Sequence, residues 1–348
     1  MKEQNLGFKK ILLARTDGIG DLILTLPVIF ALRKKMPDAY IALVINRNNY
    51  SIVKNLPYIN EIIGIDNQPV SLLKALIKIR NNNFNVAIQL LPGSDNKGSF
   101  LIAMSNAKIK AGYNVGIFKK FYTDPISPPS PGYETDNVIN ILSNFIPNLE
   151  ITERGLIIGL QAEAKITRLL KQHNIKKGED FIIIHIGASK DNRNKIWPRE
   201  NFSDLIDKII SNFKLKVFII GSKGEINIVE KITKGKNNVF NLAGILTLEE
   251  LLPLIRRCRF FISNNSGPLQ IAVALGVNTI SLIGPSLFSR WAPRGENHIV
   301  IKKELECLPC EGKKIRCRDN KCMKLITVGE VYQAVKTQLF REKSENYA

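Results

Sequence analysis

The sequence predicts an α/β protein with two doubly wound parallel-sheet domains that face each other across a cleft. Its 348 residues are too many for one domain of ordinary size and fit two. Short apolar segments rich in Ile, Val and Phe alternate with segments of helical periodicity along most of the chain. Strands that alternate with helices indicate a parallel sheet with helices on both faces. Ligands of such sheets bind beyond the carboxyl ends of the strands, so functional residues are expected directly after strands.

The first domain is predicted to cover residues 1–165. Its elements follow from the short apolar runs and from the helical segments between them. The strands are Lys10–Ala14, Tyr40–Ile45, Glu61–Ile65 and Asn85–Leu90, and the helices run from Asp21 to Lys35 and over Ser71–Asn81. The Pro-rich stretch Thr123–Gly132 is predicted to be a surface loop.

The second domain is predicted to cover residues 175–327, and it repeats the alternation with short apolar strands of the buried parallel type. The strands are Phe181–His185, Lys216–Ile220, Val239–Leu242, Phe260–Ser263 and Thr279–Ile283, and the helices are Arg199–Asn212, Glu225–Thr233, Leu248–Arg257 and Gly267–Leu275. The polar stretch Gln161–Gly178 is interpreted as holding the link between the domains. Residues 328–348 are interpreted as a helix, Val328–Phe340, with a charged tail.

Basic residues dominate the charge of the chain. Fifty Lys and Arg face thirty-one Asp and Glu, which gives a net charge of +19. Such a field attracts polyanions. The sequence has no helix-turn-helix pattern, zinc-finger spacing or aromatic-basic RNA motif, so an anionic membrane surface or substrate is favoured over nucleic acid. The alternative is a solvated basic surface without a specific partner.

The apolar runs are far shorter than the ~20 residues that a membrane span needs, and the N-terminus lacks a cleavable-signal pattern. We therefore expect a cytoplasmic protein that contacts a membrane, if at all, from its surface. The expected contacts are basic residues of the first domain, namely Arg33, Lys34, Lys35, Lys119 and Lys120.

A glycine-containing turn after the first strand is the first candidate site. It reads Arg15-Thr16-Asp17-Gly18-Ile19-Gly20-Asp21. Gly18 and Gly20 permit a tight turn and the close approach of a ligand. Asp21 stands where the helix begins, which leaves two interpretations open. It either caps the helix and interacts with the helix dipole, or takes a proton from an incoming hydroxyl at the cleft. The spacing is not G-x-G-x-x-G, which argues against a nicotinamide dehydrogenase.

Two further turns follow strands of the second domain. Ser189 ends the small-residue run after the first of these strands, and Lys195 comes shortly after it. Backbone N–H groups and an ammonium in such a turn can bind a phosphate. Glu225, in the turn Gly221–Glu225, can accept hydrogen bonds from ribose hydroxyls, as the acidic residue of dinucleotide-binding folds does.

The fourth candidate is a strand end, a polar cap and a helix start within Ser263–Gln270. The free N–H groups of a helix start, here at Ser266 and Gly267, favour a pyrophosphate, and an ordinary Asn/Ser cap is the alternative. The chain contains no Asp-x-Asp pair to hold a divalent cation. The charge of a leaving nucleotide is therefore expected to be met by Lys195, nearby Arg and this helix start.

Four of the five cysteines form the pattern C-x2-C-x6-C-x4-C in a basic segment. They are Cys307, Cys310, Cys317 and Cys322. Four Cys at such close spacing in a cytoplasmic protein suit a structural Zn²⁺ or a redox pair, and the alternative is free thiols that pack a loop. Cys258 ends a helix and is expected in the core.

The four candidate segments, in this order, resemble the ADP-heptose:lipopolysaccharide heptosyltransferases of glycosyltransferase family 9. The matching text is ILLARTDGIGDLILTLPVIFALR, IHIGASKDNRNKIWPRENF, IIGSKGE and FISNNSGPLQIAVALGVNTISLIGPSLFSRWAPRG. The resemblance covers roughly Lys10–Val335. It implies the GT-B fold of two Rossmann-like domains and an inverting, metal-independent transfer that needs an ADP-sugar co-substrate and no cofactor.

The resemblance also implies roles for single residues. Asp21 falls on the catalytic base, and Arg15 and Thr16 fall on acceptor-facing positions. The donor-binding positions are Ser189, Lys195, Glu225, Asn265, Ser266, Gly267 and Gln270. Asn265 and Gln270 replace an Asp and a His that the family often has, so hydrogen bonding is kept while charge and a titratable ring are lost. The acceptor segment of the first domain is also altered, to Tyr133–Asn137.

The implied reaction moves heptose from ADP-heptose to the lipid-linked, anionic inner core of lipopolysaccharide at the cytoplasmic face of the inner membrane. One alternative is a family 9 transferase with another nucleotide sugar or acceptor. A more distant alternative is a non-catalytic relative that binds nucleotide or anionic lipid, which has no need of a carboxylate at Asp21.

Overall fold

The structure is a computed structural model that describes residues 8–91, 96–128, 132–152, 155–188, 194–310, 317 and 319–341. The chain divides into two compact units, Met1–Ile157 and Ile158–Ala348. Each unit contains a six-stranded parallel sheet flanked by helices. The predicted α/β class with two parallel sheets is therefore confirmed. Within the described part of the chain, no helix combines the length and the apolar composition needed to cross a membrane.

The strands of the first unit are β1 (Lys10–Arg15), β2 (Tyr40–Asn46), β3 (Glu61–Ile65), β4 (Val86–Gln89), β5 (Ile109–Tyr113) and β6 (Asp124–Ile126). The helices are α1 (Ile19–Lys35), α2 (Tyr50–Val53), α3 (Pro69–Asn81), α4 (Asn96–Ala103) and α5 (Glu134–Ser143). The strand order in the sheet is β3-β2-β1-β4-β5-β6.

Strand β1 lies in the middle of this sheet, where it pairs in parallel with β2 and β4. Because both faces of the strand are covered, its residues Ile11–Ala14 are all buried and form a continuous apolar run instead of an alternating one. The order of the strands reverses between β1 and β4. The carboxyl ends on either side of such a switch point are the expected place for a ligand.

The strands of the second unit are β7 (Phe181–His185), β8 (Lys216–Ile220), β9 (Val239–Asn241), β10 (Phe261–Asn264), β11 (Thr279–Ile283) and β12 (His298–Lys302). The helices are α6 (Leu160–Gln172), α7 (Arg199–Phe213), α8 (Ile226–Thr233), α9 (Leu248–Arg257), α10 (Gly267–Ala274), α11 (Phe288–Trp291), α12 (Lys321–Lys324) and α13 (Val328–Phe340). The order β12-β11-β10-β7-β8-β9 gives this sheet the same topology as the first, with its switch point between β7 and β10.

Several elements differ from the sequence-based expectation. The stretch interpreted as a link holds most of α6, which packs on α9 and buries Ala162, Ile166 and Leu170 at helical spacing. The stretch predicted as a Pro-rich loop begins with the short edge strand β6. Helix α13 has the predicted bounds, and it packs on α7 and β11 within the second unit. These elements have mixed or polar sequences, and their structure is decided by the surfaces on which they pack.

Candidate active site

Arg15 ends β1 and organises a cluster of charged side chains at the switch point of the first sheet. The side chain is fully buried. Its Nε donates to Asp17 Oδ1 at 2.9 Å, and its Nη1 donates to the carbonyl of Leu90, just after β4, at 3.0 Å. Its Nη2 donates to Glu134 Oε1 at 2.6 Å and to Asp21 Oδ1 at 3.3 Å. We call Arg15, Asp17, Asp21 and Glu134 the Arg15 cluster.

The Arg15 cluster holds three carboxyl groups against one guanidinium. Burial raises the pKa of Asp17 to about 8, because the effect of burial outweighs the attraction of Arg15, and the carboxylates of Asp21 and Glu134 add to the rise. The Oδ2 atom of Asp17 is buried and has no hydrogen-bond partner among the described residues. Burial acts to lower the pKa of Arg15, but the three carboxyl groups raise it above its ordinary value. The guanidinium is therefore always charged, and Asp17 holds a proton near neutral pH.

Asp21 is the most exposed carboxylate of the Arg15 cluster, with 23% of its side chain exposed. It lies in the first turn of α1, where a negative charge interacts favourably with the helix N-terminus. Its Oδ2 lies 3.0 Å from the place that a Cβ at Gly18 would occupy, so the glycine turn leaves room for the carboxylate. Asp21 is thus oriented by Arg15 and still open to a substrate. Thr16, which lies between Arg15 and Asp17 in the sequence, is buried.

Glu134 was not among the residues predicted for the site. It begins α5, which packs on α1, and its side chain is fully buried. Asn137 donates to its second oxygen at 3.4 Å, and the carbonyl of Asn137 accepts from Tyr113 Oη at 2.8 Å. The sequence signal is an acid in the first turn of a helix that follows a Pro-rich stretch, which does not by itself reveal a partner 119 residues away.

His185 ends β7 and lies at the switch point of the second sheet. Its Nδ1 lies 3.2 Å from Ser263 Oγ and 3.1 Å from Ser266 Oγ, and the two hydroxyls lie 2.8 Å apart. Burial lowers the pKa of His185 to about 4, although Glu225 opposes this effect. The imidazole is therefore neutral at physiological pH and serves as a hydrogen-bonding group at the strand ends.

Glu225 brings a carboxylate to the same strand ends. Its Oε2 accepts a hydrogen bond from the backbone N–H of Ser222 at 2.6 Å, so the residue also closes a capping box. Its Oε1 occupies the space that a Cβ at Gly187 would need, so a side chain at that position would displace the carboxylate. Gly187 is therefore required for the carboxylate to lie across the ends of β7 and β8.

The start of α10 forms the far side of this site. Ser266 is the N-cap, and its Oγ accepts from the backbone N–H of Leu269 at 3.4 Å. Asn265 and Gly267 flank it and are half-buried. Gln270 is buried, its Nε2 donates to the carbonyl of Trp291 at 3.0 Å, and its Oε1 has no partner among the described residues. The structure thus brings His185, Glu225 and the start of α10 to the switch point.

The segment that carries Lys195 is anchored to the end of β10. The backbone N–H of Trp197 donates to Asn264 Oδ1 at 3.0 Å, while the indole Nε1 donates to the carbonyl of Ile326 at 2.8 Å. Asn264 Nδ2 in turn donates to the carbonyls of Ile186 and Gly187 at the end of β7. Lys195 is half-buried, two residues before this anchor. Ser189 lies outside the described residues.

Cys307, Cys310, Cys317 and Cys322 line one cavity of about 170 Å³. Burial raises the pKa of the Cys322 thiol to about 11, and the neighbouring thiols of Cys317, Cys310 and Cys307 add to that effect. Within the described ranges, no three His, Cys, Asp or Glu side chains are arranged to hold a metal ion. The geometry described here thus does not support the predicted zinc site, and elemental analysis is the direct test of it.

Two six-stranded parallel sheets of the same strand order, each with polar residues at its switch point, are typical of α/β enzymes with GT-B architecture. This chain belongs to glycosyltransferase family 9. The family model described as glycosyltransferase family 9 (heptosyltransferase) matches residues 72–321, which is more than half of the chain. The predicted family, the GT-B architecture and the prediction of a glycosyltransferase are confirmed.

Named relatives and solved structures agree with this assignment. The lipopolysaccharide heptosyltransferase 3 of Escherichia coli is 26% identical over 295 residues, which cover 80% of this chain and 85% of that protein. A crystal structure of a family 9 glycosyltransferase from Veillonella parvula DSM 2008 matches with a TM-score of 0.83 at 21% identity, covering 96% of this chain and 98% of that one. The E. coli ADP-heptose lps heptosyltransferase II matches with a TM-score of 0.76 at 18% identity, covering 95% and 98%. At these identities the solved structures show the fold alone.

Proposed function

We propose that this protein transfers heptose from ADP-heptose to the phosphorylated inner core of lipopolysaccharide. The observation that carries the proposal is the Arg15 cluster, in which Asp21 is held at the switch point of the first sheet and keeps a partly exposed carboxylate. The names of the E. coli relatives support heptose, ADP and a lipopolysaccharide acceptor as the substrate classes. In this proposal the first unit binds the acceptor and the second unit binds the nucleotide sugar.

The proposed reaction is a single displacement with inversion. Asp21 takes the proton of an acceptor hydroxyl, whose oxygen forms a bond to the anomeric carbon of the donor. The bond between that carbon and the ADP oxygen breaks, and ADP leaves with the electron pair. Lys195 and the start of α10 at Ser266 and Gly267 stabilise the charge that builds up on ADP. The absence of an Asp-x-Asp pair from the sequence supports a metal-independent transfer.

Asp21 suits the role of base better than its neighbour Asp17. A general base must be ionised and within reach of the acceptor hydroxyl. The raised pKa of Asp17 keeps that carboxyl protonated near neutral pH, and one of its oxygens is buried. Arg15 has Nε, Nη1 and Nη2 all engaged inside the protein, so we assign it the positioning of Asp21 instead of direct contact with the acceptor.

The geometry of the second unit supports the proposed donor roles. Glu225 lies across the ends of β7 and β8, where its carboxylate can accept from ribose hydroxyls. Asn265, just before the start of α10, and Gln270, within α10, offer uncharged hydrogen-bonding groups. The Oε1 of Gln270, which has no partner in the described part of the chain, suits a ligand donor. Ser189 is proposed to contact the donor phosphates from its place near Lys195 in the sequence.

The proposal is tested by comparing nucleotide-sugar donors with the purified protein. Transfer to a heptose-deficient core acceptor is followed by mass spectrometry with ADP-heptose, ADP-glucose and UDP-glucose supplied in turn. We expect that product forms only with ADP-heptose, or that it forms far faster with ADP-heptose than with the other two donors. A preference for another nucleotide sugar would support the nearer alternative, another family 9 specificity. Binding of ADP without turnover of any donor would support the non-catalytic alternative. Mass spectrometry of lipopolysaccharide from a deletion strain identifies the acceptor. The proposed location of the protein is the cytoplasmic face of the inner membrane.

A further inference from the structure

Helix α3 carries an apolar stripe on its solvent side. Val70 is 61% exposed, Leu73 is 57% exposed and Ile77 is 52% exposed. Their spacing places them on one face of the helix, while Ser71, Ala75 and Ile79 are buried against the sheet. A surface helix of an isolated domain normally has polar residues on the face that α3 leaves apolar. Such an exposed apolar stripe marks a surface that contacts something other than water.

The segment after β5 extends this stripe with two more apolar side chains. Phe118 packs on Phe100 of α4, with ring centroids 5.8 Å apart, and Phe121 lies next to Phe118 at 6.4 Å. Ile117 is 67% exposed and Phe121 is 42% exposed. Helix α4 packs between α3 and this segment. The α3 stripe and the residues 117–121 therefore share one side of the first sheet, which we call the α3 face.

The α3 face is basic as well as apolar. Lys74, Lys119 and Lys120 are exposed on it, and Lys120 Nζ lies 5.3 Å from the centroid of the Phe121 ring. Two acids beside α3 are already engaged: Glu61 pairs with Lys78 of α3 at 2.7 Å, and Asp66, shortly before α3, pairs with Arg47 at 3.1 Å. The exposed amines of Lys74, Lys119 and Lys120 therefore give this face a positive charge. Apolar side chains surrounded by amines match the boundary between phosphate headgroups and acyl chains of an anionic bilayer.

We propose that the α3 face docks the protein on an anionic lipid bilayer, an inference that rests on the proposed lipid-linked acceptor. A second copy of the chain fits this face less well, because a two-fold contact would bring its lysines against like charges. Two of the three basic residues in the last turn of α1 are engaged elsewhere. Arg33 donates to the carbonyls of Tyr58, Pro37 and Ala39, and Lys34 lies over the ring of Phe30.

The test is co-sedimentation of the full chain with vesicles of phosphatidylcholine alone or with phosphatidylglycerol added. Two variants remove the two chemical components of the face: Leu73→Gln with Ile77→Gln, and Lys119→Glu with Lys120→Glu. Matched controls are Lys34→Glu with Lys35→Glu, which change the same charge in the same unit, and Leu160→Gln with Ile245→Gln, which remove exposed apolar residues from the second unit. We expect both test variants to lose about tenfold or more of the binding to anionic vesicles, and the controls to lose less than about twofold.

Three results would overturn the docking proposal. The first is an equal loss of binding to anionic vesicles in the test variants and the control variants. The second is undiminished binding in the Leu73/Ile77 variant. The third is a wild-type dimer in light scattering that this variant converts to a monomer, because a second copy would then cover the face. Transfer to a soluble acceptor fragment should be unchanged in both test variants. If the wild type failed to use ADP-heptose, the proposed function would be wrong, and the result on vesicle binding would be unaffected.

Discussion

Glu134 Oε1 lies 2.6 Å from Arg15 Nη2, and neither side chain has any exposed surface. Helix α5 thus delivers a carboxylate to the end of β1 from 119 residues further along the chain. Removing one partner from a buried pair leaves the other charge without compensation. The same guanidinium nitrogen also donates to Asp21, so the position of the proposed base depends on Glu134.

We expect Glu134→Gln to lower both stability and turnover. The amide keeps the shape of the side chain but not its charge, and breaking a buried ion pair costs up to ~3–5 kcal/mol. Loss of orientation at Asp21 should lower kcat by roughly 10- to 100-fold with little change in KM for the donor. Thermal unfolding and steady-state kinetics measure these effects. The matched control is Glu163→Gln, which loosens the half-exposed pairs with Arg256 and Arg257. Comparable effects in both variants would remove the special role of Glu134.

Asp21→Asn should lower kcat by ~10²–10⁴, the range for loss of a general base. The isosteric amide keeps the hydrogen bond from Arg15, so folding and ADP affinity should stay as in the wild type. Asp17→Asn is the matched control in the same cluster, and it should lower kcat by less than about tenfold because Asp17 already holds a proton near neutral pH. If Asp17→Asn were the more damaging variant, Asp17 would be the base.

The protonated Asp17 should make the protein less stable as pH rises. The pKa of Asp17 is about 8 in the folded state and ordinary in the unfolded state, so unfolding releases a proton between about pH 4 and pH 8. Because the folded state binds more protons in this window, the free energy of unfolding falls as pH rises through it. Chemical denaturation of wild type and Asp17→Asn across this range checks the sign. The variant should gain stability relative to the wild type as pH rises, and a constant difference would contradict the raised pKa.

Lys195→Ala should weaken ADP binding by roughly 10- to 100-fold, as loss of a hydrogen bond to a charged phosphate implies. Isothermal titration with ADP measures it. The control is Lys231→Ala, which removes an exposed amine from the last turn of α8. Equal affinities for wild type and Lys195→Ala would show that this amine does not reach the phosphates.

Treatment with EDTA should leave transfer unchanged, because the proposed mechanism meets the charge on ADP with Lys195 and the start of α10. The check is turnover after dialysis, with Mg²⁺ and Mn²⁺ added back in parallel. A dependence on either cation would contradict the mechanism. Elemental analysis of the untreated protein separately decides the predicted zinc at Cys307, Cys310, Cys317 and Cys322, and near-stoichiometric zinc would show that these thiols bind metal.

The sequence alone determined the central strands and the turns that follow them. Strands β3, β7, β8 and β11 have the bounds that their apolar runs predict. For the interior strands β7, β8 and β11 the reason is that a parallel strand buried on both faces must be apolar throughout. The same rule placed Asp21, Glu225 and Ser266 directly after strands. Local sequence is sufficient to predict these positions, because a residue that follows a strand in the sequence also lies next to the end of that strand in space.

The tertiary structure alone decided which distant residues meet. Strands β5 and β6 have mixed sequences, because β6 lies at the edge of the first sheet, β5 lies next to it and neither is buried throughout. Helix α6 shows only a narrow apolar stripe. The pairing of Arg15 with Glu134, the contact of Glu225 with Gly187 and the apolar α3 face join segments that are separate in sequence. Such contacts depend on how helices pack against the sheet, so no local pattern encodes them, and the protonation of Asp17 follows from the same packing.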